Sequence, residues 1–192
     1  MGRDTVDGGD GDDLLIVNYS DHYSRRKNPG IASFKPDSGI GFYRAIGSTT
    51  NIISFEDIER IYITGTKYND NIIADDNDDR VIGGRGNDTL NGRSGTDVIY
   101  GGEGLDKIIG GSGQDTFVLM TDASTSDRDV IRDFELDNDL LGISNMTEVD
   151  NLSMSNNSND TGSIIAGNNG QQVAILMGVT DVTIDELDFV DI

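Results

Sequence analysis

Between Gly83 and Val118 the apolar residues recur at an interval of nine. The stretch divides into four lines, GGRGNDTLN, GRSGTDVIY, GGEGLDKII and GGSGQDTFV. The sixth column is aspartate (Asp88, Asp97, Asp106, Asp115) and the eighth is large and apolar (Leu90, Ile99, Ile108, Phe117). A helix would repeat its apolar face every 3.6 residues and an amphipathic strand every 2. A nine-residue period calls instead for a turn and a very short strand in each line. Two lines upstream, GTKYNDNII (65–73) and ADDNDDRVI (74–82), keep Asp70 and Asp79 and the apolar Ile72 and Val81, but lose glycines. A separate line, GGDGDDLLI (8–16), carries Asp13 and Leu15 in register. Before it, GRDTVD places Asp4 nine residues ahead of Asp13. The expectation is a chain that begins in mid-repeat, a piece of a longer protein.

Glycine and aspartate cannot pack a core, but they turn sharply, because glycine accepts positive φ at little cost. The last three residues of a line, such as Thr89-Leu90-Asn91, then form the strand, with one side chain pointing inward. Two lines, 18 residues, make one coil of a flattened parallel solenoid. Each coil needs neighbours to bury its apolar face. Aspartates 18 apart fall in adjacent turns of one edge: Asp70, Asp88 and Asp106 on one side, Asp79, Asp97 and Asp115 on the other. Adjacent aspartates and glycine-loop carbonyls would form a hard, all-oxygen site. Such a site suits Ca²⁺ better than Zn²⁺ or a soft metal, and better than Mg²⁺, which keeps its waters. The pairs 70/88, 88/106, 79/97 and 97/115 predict about four sites.

Charge sharpens this picture. The net charge is −21, from 14 Lys and Arg against 35 Asp and Glu, and only six of the acids are glutamate, leaving 29 aspartates. A solvated helix would favour glutamate, whereas aspartate favours turns and short-reach ligation. This charge repels nucleic acid phosphates and anionic membranes. Acidic, glycine-rich composition also describes disorder. Disorder that resolves when a cation binds fits both the charge and the regular Ile, Val, Leu and Phe. The absence of cysteine excludes disulfides and thiolate sites. No apolar run reaches bilayer length, so no membrane span is expected. MGRDTVDGGDG does not resemble a secretory leader.

The lines match G-G-x-G-x-D-x-U-x, where U is large and apolar, and so resemble the nonapeptide of the RTX (repeats-in-toxin, hemolysin-type) calcium-binding family. The resemblance implies an all-β fold, a parallel β-roll, with Ca²⁺ at the shared turns. It also implies secretion from a Gram-negative or related bacterium by a type I machinery. Carried onto this sequence, the ligand aspartates are Asp13, Asp70, Asp79, Asp88, Asp97, Asp106 and Asp115. Carbonyl ligands come from loops around Gly83, Gly84, Gly86, Gly101, Gly102, Gly104, Gly110, Gly111 and Gly113. Ala74, Asp75 and Asn77 depart from the glycine columns, and Arg93 follows Gly92 where a second glycine is usual.

The segment DRDVIRDFELDNDLLGIS (127–144) resembles D-x-I-x-D-F-x-x-x-x-D-x-I-x-[IL]-S, which follows many RTX arrays. On that resemblance Asp129, Asp133 and Asp139 complete the end-most calcium sites, while Val130, Ile131, Phe134, Leu140 and Ile143 cap the apolar ladder. An acidic hairpin is the plainer alternative. QQVAILMGV (171–179) reads as a strand. The closing TIDELDFVDI resembles a type I C-terminal signal, with Asp191 interrupting the apolar run, and reads equally as a final strand.

Residues 17–64 break the period. NIISFEDIERIYITGT reads as one or two strands, and its end resembles segments that introduce RTX arrays in large secreted proteins, including cyanobacterial ones. The organisation expected is therefore 1–16, the end of an upstream repeat block; 17–64, a β-rich insert continuing the roll; 65–118, the β-roll; and 119–192, a β-rich cap with a type I secretion signal. No G-x-S-x-G elbow or H-E-x-x-H helix is present, and the lone His22 lies in a polar stretch. The chain reads as non-catalytic. Two functions follow from it: a secreted, extracellular module that folds on Ca²⁺ after export, or a module that binds extracellular polysaccharide or a cell surface through the aromatic insert.

Overall fold

The computed structural model describes residues 3–20, 31–34, 40–45, 52–119, 128–143, 152–156, 159, 161–167, 172–180 and 182–191. His22, the basic run Arg25-Arg26-Lys27 and Tyr23 lie outside the described residues. The described secondary structure is almost wholly strand. β1 (Arg3–Asp7) and β2 (Leu14–Asn18) come first, then β3 (Ile31–Phe34), β4 (Ile40–Ala45), β5 (Ile52–Glu56) and β6 (Arg60–Thr64). The repeats supply β7 (Asn71–Ile73), β8 (Arg80–Arg85), β9 (Thr89–Ser94), β10 (Val98–Glu103), β11 (Lys107–Ser112) and β12 (Thr116–Val118). β13 (Asp129–Ile131), β14 (Leu140–Ile143), β15 (Ser153–Asn156), β16 (Gly162–Ala166), β17 (Gln172–Met177) and β18 (Phe189–Asp191) follow. Among the described residues no helix is long and apolar enough to cross a membrane.

Successive repeat strands alternate between two sheets. One runs β18-β14-β12-β10-β8-β6-β2 and is parallel throughout. The other runs β1-β5-β4-β3-β7-β9-β11-β13-β17-β16-β15. Its centre, from β7 to β17, is parallel. Within the repeats the register advances by 18 residues: Val98 pairs with Arg80 and with Thr116, and Lys107 with Thr89. This is the parallel β-roll that the period calls for. Further on, Lys107 pairs with Val130, so that coil is longer.

The apolar column builds the core. Val17, Ile63, Val81, Ile99, Phe117 and Leu141 succeed one another across one sheet, and Ile72, Leu90, Ile108, Ile131 and Leu176 across the other. All are buried. Burying one such side chain contributes about 1.5–3 kcal/mol, and each rung is covered only because another coil lies on either side. The strands differ from the three-residue expectation: β8 to β11 are six residues each. Pairing continues into the first columns of the next line, as in Gly102 with Gly84 and Glu103 with Arg85. Glycine removes the side chain that would hold these neighbouring coils apart.

The segment between β2 and β7 enters both sheets. β6 joins the parallel sheet beside β2 and β8. β3, β4 and β5 form an antiparallel meander, set between β1 and β7 by parallel pairings at its two ends. At the other end of the roll, β16 and β15 add antiparallel strands to β17.

Candidate metal centre

Each repeat aspartate stands at the end of its turn, one residue before the strand, and the strand pairing carries it inward. Asp70, Asp79, Asp88, Asp97, Asp106 and Asp115 are all buried, between 0% and 3% exposed. Their carboxylates form two ladders. On one edge the backbone N–H of Asp70 donates to Asp88 Oδ1 (2.7 Å), that of Asp88 to Asp106 Oδ1 (2.7 Å) and that of Asp106 to Asp129 Oδ1 (3.2 Å). On the other, Ile61 donates to Asp79 Oδ1 (2.7 Å), Asp79 to Asp97 (2.8 Å), Asp97 to Asp115 (3.0 Å) and Asp115 to Asp139 (3.0 Å). The spacing of 18 therefore brings together the two sets read from the sequence, and Asp129 and Asp139 occupy the next rung of each. Asp133 sits differently. Its two oxygens accept from the N–H groups of Gly110 (3.0 Å) and Gly111 (2.9 Å), tying the last full glycine turn to the following coil.

Only one oxygen of each carboxylate is used by this ladder. The Oδ2 atoms of Asp88 and Asp97 are buried and have no hydrogen-bond donor, and the same holds for Asp13 Oδ2. A buried carboxylate oxygen without a partner is costly unless a donor or cation meets it. Around these atoms the chain supplies more oxygen. The space where Gly83 lacks a Cβ is bounded by Asp88 Oδ2 and the Gly101 carbonyl oxygen; at Gly92 the neighbours are Asp97 Oδ2 and the Gly110 carbonyl oxygen. Gly101 faces Asp106 Oδ2 and Asp129 Oδ2, and Gly110 faces Asp115 Oδ2. In the second and fourth columns, Gly102 and Gly111 face the carbonyls of Gly84 and Arg93, while Gly104 and Gly113 face those of Gly86 and Gly95. Gly84 and Gly86 face Thr66 and Tyr68 in the same way. A side chain at Gly83 or Gly92 would fill the space between the oxygens.

The electrostatics point the same way. Burial, the largest cause, pushes Asp88 and Asp97 up to about 8, Asp79 to about 7 and Asp115 to about 6, against donated backbone hydrogen bonds that pull the other way. Neighbouring carboxylates add to the rise: those of the same ladder at Asp88, Asp97 and Asp115, and Asp75 and Asp78 at Asp79. Asp139 is raised for the same first reason. At neutral pH Asp88 and Asp97 need a proton or a positive charge beside them. Among the described residues no three His, Cys, Asp or Glu side chains gather at one point. The donors are instead carboxylates of successive coils with main-chain carbonyls between them. Hard oxygens with paired negative charge fit calcium, whose coordination is oxygen-rich and flexible.

Several participants escaped the sequence reading. Thr66 donates to Asp70 Oδ2 through its N–H (2.6 Å) and its hydroxyl (3.0 Å), and Asp75 donates its N–H to Asp79 Oδ2 (2.7 Å). Glu59 Oε2 accepts from the Asp13 N–H (2.9 Å), as a repeat aspartate would. The fifth column makes an outer ladder, in which Asn87 N–H meets Asn69 Oδ1 (3.0 Å) and Thr96 N–H meets Asp78 Oδ1 (2.7 Å). The nine-residue alignment already carries that column. Arg93 keeps the positive φ of the glycine column at +85° and pairs with Asp76 (2.9 Å).

Comparison with known proteins adds a match to a repeat. The RTX calcium-binding nonapeptide repeat matches the sequence in four copies, over residues 2–18, 62–90 and 82–117. Among curated proteins none matches the sequence. Among solved structures, the crystal structure of extracellular lipase LipA from Serratia marcescens aligns with a TM-score of 0.46 at 18% identity. The alignment covers 98% of this chain and 34% of that one, so the chain spans about a third of the lipase's length.

Proposed function

We propose that this chain, which carries RTX calcium-binding nonapeptide repeats, is a module that folds as calcium binds and serves the export and folding of a larger secreted protein. The observation that carries the proposal is the pair of buried Oδ2 atoms on Asp88 and Asp97, which lack any donor inside a stacked, apolar roll. Without a cation, the ladders draw like charges into a poorly solvated edge, and the open, hydrated chain is favoured. A bound calcium ion supplies two positive charges and accepts six to eight oxygens. Asp88 and Asp106 would hold ions on one edge and Asp97 and Asp115 on the other, with the first-column carbonyls of Gly101 and Gly110 beside Asp88 and Asp97. Asp129 and Asp133 would close the last coil, and Asp13 the first.

Because the apolar rungs are covered only when coils stack, binding free energy becomes folding free energy. Extracellular modules work at about 10⁻⁴–10⁻³ M calcium, so the chain would remain open in the cytosol, pass through a type I secretion machinery and close outside. The role is non-catalytic. Circular dichroism during calcium titration, with magnesium as control, tests it. β-Structure should appear cooperatively with calcium and much less with magnesium. A chain fully folded in excess chelator would overturn the proposal.

A second reading, binding of extracellular polysaccharide, has one observation in its favour. A cleft of about 540 Å³ lies across the turns, where Ser20 and Thr64 meet Thr66, Lys67, Arg85, Tyr100 and Glu103. The Tyr100 ring and Lys67 beside the hydroxyls of Ser20, Thr64 and Thr66 suit a sugar, while Arg85 is paired with Glu103 (3.1 Å). Glycan-array binding that disappears in Tyr100→Ala would support this reading, and the absence of any glycan signal would remove it.

A further inference from the structure

The repeat aspartates fall into two classes, distinguished by the backbone at the second column of the line. In three turns the N–H four residues before the aspartate donates to its Oδ2: Thr66 to Asp70 (2.6 Å), Asp75 to Asp79 (2.7 Å) and Glu135 to Asp139 (2.8 Å). None of these second-column residues has positive φ. At Asp70 the Thr66 hydroxyl adds a second donor to the same oxygen (3.0 Å). These carboxylates are closed by their own turns.

In the turns of Asp88 and Asp97 the second column holds Gly84 (φ +111°) and Arg93 (φ +85°). Positive φ rotates that N–H away from the aspartate, and Oδ2 is left buried with no donor. Gly102 (φ +102°) and Gly111 (φ +112°) give the turns of Asp106 and Asp115 the same backbone. The Gly111 N–H goes to Asp133 Oδ2 instead (2.9 Å).

We infer that the second-column residue decides which turns take calcium, and that the turns of Asp70 and Asp79 are held by the chain itself. The inference rests on the calcium reading above and narrows it. Asp70 and Asp79 then act as staples rather than ligands, and the ion count falls below the aspartate count. Residues 65–82 present the glycine-rich coils with a neighbouring edge that does not itself need loading. Arg93 keeps its turn in the calcium class despite its side chain, because its φ remains positive.

The test is calcium stoichiometry of the full chain at saturating calcium, by native mass spectrometry, with circular dichroism to report folding. Asp97→Asn should lose at least one ion, whereas Asp70→Asn should keep the wild-type count. Thr66→Gly, which frees the second column and removes the hydroxyl, should gain one ion. Loss of an ion in Asp70→Asn equal to that in Asp97→Asn would overturn the inference. If Asp70→Asn does not fold, Thr66→Gly decides alone, and an unchanged count there overturns it. These outcomes leave the broader reading intact. That reading fails separately if the wild-type chain binds no calcium.

Discussion

Replacing Gly102 by alanine measures how tightly the coils stack. Gly102 has φ +102°, and a Cβ there would press on the Gly84 carbonyl oxygen, 2.8 Å from its carbon and 3.0 Å from the Gly84 nitrogen. These are backbone atoms of a paired strand and cannot swing aside. Gly9 occupies the same column of the first line, with φ +81° and nothing within 4 Å of a Cβ. Alanine at Gly9 therefore carries mainly the cost of positive φ, about 1–2 kcal/mol. Alanine at Gly102 adds overpacking, about 1–3 kcal/mol, for a total of about 2–5 kcal/mol. The difference corresponds to roughly a 5- to 150-fold change in the folding equilibrium. Urea unfolding in saturating calcium, followed by circular dichroism, reads it as a lower midpoint at unchanged slope. Equal losses at Gly9 and Gly102 would refute the claim that coil contact sets the cost.

The metal-free chain should gain β-structure on acidification, because the folded carboxyls of Asp88, Asp97, Asp79 and Asp115 have pKa values raised above 3.8. Their contribution to stability is fully present below about 4 and is lost as pH rises through about 6 to 8. Circular dichroism of calcium-stripped protein from pH 8 to pH 4 checks this, and no gain, or a loss, would sink it. With calcium present the dependence reverses, since protons and the cation compete for the same oxygens: the calcium midpoint should rise as pH falls. Ile99→Ala removes a fully buried rung and should cost about 2–5 kcal/mol in denaturant unfolding. Ile16→Ala, at a position 68% exposed, should stay within about 0.5 kcal/mol. Asp133→Ala leaves the N–H groups of Gly110 and Gly111 without their acceptor and should cost about 1–3 kcal/mol in the same assay.

The roll was legible because its two periods coincide. A nine-residue line puts Asp88 and Asp106 in one column and, doubled, on one edge, so the same count predicts Leu90 above Ile108 and the carboxylate ladder beside them. The meander of β3, β4 and β5 was not legible as antiparallel, since residues 17–64 carry no period and alternation alone does not give strand direction. Glu59 was hidden by distance: it takes the Asp13 N–H across 46 residues of chain. Register also moves there, because Leu14 pairs with Arg60 while Tyr62 pairs with Arg80. The capping by Thr66 and Asp75 depends on which way one N–H points. The lost glycines were visible in the sequence, but their consequence for Oδ2 appears only with the backbone.

The alternation of strands between two sheets also constrains how such a gene can change length. Adding or removing one nine-residue line would send every later strand to the opposite sheet and separate Asp88-type turns from their partners. Gain or loss of 18 residues returns each strand to its own face. Length variation within the regular array should therefore occur in whole coils. Other insertions should collect where the spacing already departs from 18, as between Lys107 and Val130, because there the extra residues leave the rungs on either side aligned.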